Sequence, residues 1–199
     1  MASDTATAAK PKAAQRIHDA AKDLFYRQGI RATGVEEVCR AAEATKMSLY
    51  RAYPSKDALV AAILTEDAAA YDAWCDEVTA ASRTPAEKLY ALVAASACKF
   101  AEEGMHGCPM QLAQAEFRDP EHPTHQVVVA FKNASRARFE KLAAEAGAAD
   151  PAMLGDMLGM LLEGALAAVP YLGCERTSAV LREGAGVLLR GSLPAGTEL

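Results

Sequence analysis

The chain has 199 residues, 51% of them apolar, a net charge of −5 and five cysteines. That length suffices for one core or for a small domain beside a medium one, and an alanine-rich composition with few β-branched runs favours an all-α protein. The acidity excludes a generally basic nucleic-acid binder. Cysteines scattered at 39, 75, 98, 108 and 174 make neither a disulfide framework nor a zinc spacing. No signal-peptide core and no apolar run of about 18 residues is evident, so a soluble protein of the reducing cytoplasm with no membrane partner is expected.

Residues 1–12 lack a periodic apolar face and read as a mobile tail. Ala13 to Gln28 form a first helix with Ile17, Ala20, Ala21, Leu24 and Phe25 on its inner stripe and Gly29 as its stop. Val35, Val38, Cys39 and Ala42 recur at three- and four-residue steps and mark a second short helix. Thr45 then caps a third, from Lys46 to Tyr53, which Pro54 ends. Two short helices joined by a tight turn are a helix-turn-helix. In that geometry Thr45, Lys46, Met47 and Ser48 meet base edges in a major groove, Tyr50, Arg51 and Lys56 lie along phosphates, and Thr33 both caps the second helix and reaches a phosphate. Residues 1–60 carry 10 Lys and Arg against 7 Asp and Glu, the remainder 11 against 19. The positive charge therefore sits with the motif, and a DNA-binding domain over 13–56 is expected.

Ser55 caps a long helix from Lys56 to about Ala80 that starts in this head and runs past it as a lever. Thr84, Pro85 and Glu87 open the next helix, to about Glu103. A small helix follows Cys108 and ends at Glu116. After Pro120 and Pro123 a long helix runs from about Thr124 to Ala146, Asp150 and Pro151 start a helix that is apolar nearly all round from Met153 to Val169, and a last helix lies near Thr177 to Arg190. Three helices plus six are expected, with residues 57–199 forming the body.

The pattern R-I-x-x-A-A-x-x-L-F at Arg16 to Phe25, Gly29, Thr33, V-x-x-V at Val35 to Val38 and L-Y-x-x-Y-x-S-K at Leu49 to Lys56 resembles the TetR family of transcriptional repressors. Glu43 stands where most members have the turn glycine, which suggests a turn that does not require φ > 0. Ala44 replaces a larger apolar residue, and Ala52 stands where many members have a polar one. The resemblance implies a repressor that binds a near-palindromic double-stranded DNA operator as a homodimer and is released by a small effector held in the body. The segment Gly104 to Phe117 resembles the part that lines the effector cavity in many members.

The body supplies candidates for such a site. Phe100, Cys108, Met110, Phe117, Phe131, Met157 and Met160 are adaptable apolar walls, and Gln111, Gln114, Glu116 and Asn133 are the polar groups suited to orient a ligand. Family members form a four-helix dimer interface from the last two helices of each subunit, which here places Met153, Gly155, Gly159, Leu162, Val180, Gly184 and Val187 at the contact. His106 with Cys108 and His122 with His125 invite a metal reading, but no Cys-x-x-Cys pair accompanies them, and neither metal nor cofactor is expected. No nucleophile elbow, phosphate loop or HExxH motif is present and no catalytic residue is assigned. The competing readings are a helix-turn-helix adaptor working through protein contacts and a redox-sensing regulator using Cys108.

Overall fold

The computed structural model describes residues 12–99 and 107–199. Among these the chain forms nine α-helices and no strand, as the all-α expectation requires. Nearly all of the tail read at 1–12, with Phe100, Met105 and His106, lies outside the described residues.

Helix α1 (Ala13–Gln28) buries Ile17, Ala21 and Phe25, the inner stripe of its amphipathic pattern. It ends at Gly29, whose φ of 95° is left-handed and costs an L side chain energy that glycine avoids. Helices α2 (Val35–Ala41) and α3 (Lys46–Ala52) pack against it, with Val38, Cys39 and Leu49 buried. Leu49 is fully enclosed, so truncating it to alanine would cost about 2–5 kcal/mol. The α2–α3 turn corrects the sequence reading. Glu43 adopts φ 47°, so this turn does need the left-handed region and a glutamate occupies it under strain. Arg16 from α1 steadies the same turn by donating from Nε to the Ala42 carbonyl at 3.0 Å and from Nη2 to that of Glu43 at 3.1 Å.

Helix α4 (Lys56–Thr79) begins where the Ser55 hydroxyl accepts the Ala58 N–H at 3.0 Å. Its early turns bury Leu59, Val60, Ile63 and Leu64 in a first core with α1–α3, and that core also takes Met110 and Ala113 from α6, Phe117 just after it and Val128 from α7. A later turn buries Cys75 in a second core with α5, α7, α8 and α9. One helix is therefore anchored at both ends of the molecule.

Helix α5 (Pro85–Lys99) opens with a reciprocal cap, in which Glu87 N–H donates to the Thr84 hydroxyl and Thr84 N–H to the Glu87 carboxylate. Helices α6 (Pro109–Glu116), α7 (Pro123–Glu145) and α8 (Pro151–Leu172) each place proline in the first turn, where the missing N–H costs nothing. Helix α9 (Cys174–Ser192) completes the body. Gly155 allows α8 to touch α7 backbone to backbone: an added Cβ would lie 3.0 Å from the Glu140 nitrogen. By length and composition α8 is also apolar enough to cross a membrane, although two acidic residues interrupt its apolar run. Its two acids are answered from α7, Asp156 by Arg136 and Glu163 by Lys132.

Candidate functional site

The outer face of the head presents α3. Thr45 caps it, its hydroxyl accepting the Ser48 N–H at 3.1 Å and lying 3.0 Å from the Ser48 hydroxyl, so these two polar groups are held together at the helix start. Met47 is 72% exposed, and Tyr50 and Arg51 also project outward. Arg40 and Arg51 have no carboxylate partner among the described residues and so keep their donors for an anion. Lys46 donates to Glu36 of α2, which pulls that carboxyl below its ordinary range and raises the lysine above its own. The lysine is thereby positioned, and its charge is partly answered before any partner arrives.

Two of the expected contacts differ. Thr33 is fully buried, and its hydroxyl donates to the Gly29 carbonyl at 2.8 Å. Gly34, and not Thr33, is the N-cap of α2. Thr33 thus braces the loop after α1 and has no path to a phosphate. Lys56 turns inward, its ammonium 5.7 Å from the centroid of the Phe25 ring, and burial holds its pKa below the ordinary lysine value. To contact a phosphate, this side chain would have to swing out.

Behind the head a cavity of about 700 Å³ opens between α4, α5, α7 and α8. Its aromatic wall is Tyr71, Trp74 and Phe131, with Tyr71 and Phe131 edge to face at 5.2 Å and the Tyr71 and Trp74 centroids 5.6 Å apart. The Lys99 ammonium lies 4.7 Å over the Trp74 ring. Burial pushes the Tyr71 phenol well above its ordinary range, so it remains protonated, bonded to Ser135 and Cys75.

Of the expected ligand residues, Cys108, Met110, Phe131 and Met160 line this space, and so does Asn133. The others do not. Gln111 donates to the Glu163 carbonyl at 3.3 Å, Gln114 is exposed, and Met157 points outward on α8. Phe117 faces the head, stacked on His122 at 4.4 Å and covered by Arg31. Tyr71, Trp74 and Lys99 were missed as wall residues. A tyrosine and a tryptophan three apart on the later turns of α4 were the available signal.

Glu116, taken as a ligand-orienting group, is instead a tie between body and head. Its carboxylate accepts the Ile30 N–H at 2.8 Å and the Arg31 N–H at 2.6 Å. A Cβ on Gly29 would sit 3.3 Å from this carboxylate, a second reason for glycine there. Tyr26 adds a parallel tie by donating to the Gly107 carbonyl at 2.8 Å. The histidines are likewise engaged: His122 caps α7 by accepting the Thr124 N–H, and His125 bonds the Phe117 carbonyl.

The residues assigned to a dimer contact divide three ways. Met153, Val180 and Val187 stand exposed on α8 and α9, in line with Met157, Met160 and Tyr171. Gly155 is used against α7 and Gly184 against Leu161 of α8, so both serve packing within the chain, where sequence reasoning had put them between chains. Gly159 and Leu162 face the cavity.

Residues 17–63 match the family described as bacterial regulatory proteins, tetR family. The whole fold is similar to that of SCO4454, a TetR-family transcriptional regulator from Streptomyces coelicolor, at 28% identity and a TM-score of 0.87 over 90% of this chain and 95% of that one. A protein of Streptomyces avermitilis described as a tetR transcriptional regulator is 30% identical with a TM-score of 0.83, over 92% and 98% of the two chains. Escherichia coli NemR in its reduced form shares the fold at 19% identity and a TM-score of 0.78, over 94% and 100%. No curated protein sequence matches the chain. Matched in its head by the family model and along nearly its full length by the Streptomyces regulators, the chain belongs to the TetR family of transcriptional regulators.

Proposed function

We propose that this regulator is a repressor, that it binds a near-palindromic operator as a homodimer in the cytoplasm, and that a small, largely apolar molecule in the α4–α5–α7–α8 cavity releases it. Residues 13–56 serve as the DNA-binding domain and residues 57–199 as the effector and dimerisation domain. One observation carries the reading: α4 holds the head core with Leu59, Val60, Ile63 and Leu64 and walls the cavity with Ala70, Tyr71 and Trp74. A ligand that alters the packing of the later turns changes the angle at which α4 carries the head. The two recognition helices of a dimer then no longer match major grooves spaced about 34–36 Å or a multiple apart.

Dimerisation is supported by the exposed apolar row on α8 and α9, where Met160 and Tyr171 are 75% and 76% exposed. Such a row needs a cover, and a second copy offers the same row in return. The reading is tested with DNA fragments selected by the purified protein. The wild type should shift a near-palindromic fragment with strong salt dependence. Val187→Glu, on the exposed face of α9, should sediment as a monomer and lose the shift. A Val187→Glu dimer with intact operator binding would move the interface elsewhere, and an absence of any salt-sensitive duplex binding by the wild type would favour the adaptor reading.

A further inference from the structure

The charged residues around the cavity are unequally matched. Asp67 is answered by Lys22 at 2.7 Å, Glu163 by Lys132 at 2.7 Å, and Asp156 by both arms of Arg136 at 2.5 and 3.1 Å. That leaves Lys99, whose described neighbour is the face of Trp74 and not a carboxylate. The Tyr71 phenol stays neutral, so it adds a hydrogen-bonding group and no competing anion. The wall beneath the ammonium is aromatic, made of Trp74, Tyr71 and Phe131, with the Tyr71 ring tilted 36° to Trp74 and 69° to Phe131, so it offers ring faces and edges together.

An ammonium over an indole is attracted to the ring, but it remains strongly hydrated and keeps N–H donors to spare. A ligand that slides along the aromatic wall and brings a carboxylate to this nitrogen gains stacking and a charge-assisted hydrogen bond in one pose. Among the described residues, a cationic ligand would find every carboxylate of the lining already paired. A volume of about 700 Å³ accommodates two or three fused rings, well within the range of small-molecule sites.

We infer that the effector class of this cavity is a planar aromatic acid, its rings against Trp74, Tyr71 and Phe131 and its carboxylate on the Lys99 ammonium. This rests on the reading of the cavity as the effector site and specifies its chemistry.

Three probes sharing one ring system separate the possibilities: 2-naphthoate, neutral 2-naphthamide and cationic 2-naphthylmethylamine, titrated calorimetrically into the full chain without DNA. Naphthoate should bind about tenfold more tightly than the amide, and the amine most weakly. Lys99→Met, which keeps the stem and removes the charge, should reduce naphthoate to the affinity of the amide and leave the amide unchanged, while Lys99→Arg should restore most of the preference. Position is checked with Gly159→Phe. An added Cβ there meets nothing within 4 Å and the residue faces the cavity, so the variant should fold and exclude all three probes. The inference is overturned if amide or amine binds as tightly as naphthoate, if Lys99→Met leaves naphthoate binding intact, if Gly159→Phe does not reduce it, or if naphthoate does not bind at millimolar concentration. Naphthoate that binds as expected without releasing operator supports the anion site while refuting ligand control. A neutral probe that binds best and releases operator does the reverse.

Discussion

Replacing Glu116 tests how the body holds the head. Its two oxygens accept from the Ile30 and Arg31 amides at 2.8 and 2.6 Å, and hydrogen bonds to a charged group contribute about 1.5–3 kcal/mol each. The contributions are unequal. The Arg31 amide is exposed and can turn to water once the carboxylate is gone, whereas the Ile30 amide is partly buried and is left poorly satisfied. Glu116→Ala should therefore cost about 2–3 kcal/mol in total, which lowers the melting midpoint of a chain this size by roughly 4–12 °C. Glu116→Gln keeps one acceptor oxygen but turns an NH2 group towards the second amide, so its loss should be about half as large. The assay is thermal unfolding by circular dichroism together with hydrogen exchange at residues 30 and 31. Both amides should exchange faster in the alanine variant while those of α9, which packs on α5 and α8, keep their protection. An unchanged exchange rate at Ile30 in Glu116→Ala would refute the tie, whatever the melting temperature.

Glu43→Gly removes a left-handed strain of about 1–2 kcal/mol at the cost of a more flexible unfolded chain, so a net stabilisation of roughly 0.5–1 kcal/mol is expected in urea denaturation; a destabilised variant would mean that the Glu43 side chain matters more than its backbone. Arg51→Ala should weaken binding to operator and unrelated duplex alike and reduce the slope of log affinity against log salt by about 1, measured by fluorescence anisotropy; a changed base preference would argue against a phosphate contact. Glu36, held below its ordinary pKa of 4.5 by the bond from Lys46, contributes stability that is present above pH 4.5 and lost as pH falls through the lowered folded value. An NMR titration should place its midpoint below 4.5 in the wild type and return it towards 4.5 in Lys46→Ala, and equal midpoints in the two proteins would show that the pair does not form in solution.

The helices were legible in the sequence because their ends are set by local chemistry. Ser55, the Thr84–Glu87 box, Asp150 and the prolines at 85, 109, 123 and 151 each act within one turn, and all of them stand at observed helix starts. The outward row of α3 was legible for a similar reason, since Leu49 fixes which side is buried. Facing was less so. Helix α8 is apolar nearly all round, and periodicity does not say which stripe meets α7, the cavity or a second subunit; Gly155 packs on α7, Leu162 lines the cavity and Met157 faces outward, none of which periodicity distinguishes. Glu116 sits beyond the reach of such patterns, because its partners lie more than eighty residues away in the loop after α1. At Glu43 the missing glycine suggested an ordinary turn, but the packing of α2 and α3 on α1 imposes the left-handed backbone and the side chain tolerates it.

The placement of duties along α4 has a consequence for descent. The helix is about 36 Å long at 1.5 Å per residue, and the residues that seat the head, Leu59 to Leu64, share no turn with Ala70, Tyr71 and Trp74 at the cavity. If the cavity is the sensor and α3 reads the operator, as proposed, a substitution at position 71 or 74 would reshape what is sensed without touching α3, and one on α3 would alter the promoter recognised without reshaping the cavity. After gene duplication the two copies could then acquire a new signal or a new target by separate mutations, with the middle of the helix unchanged.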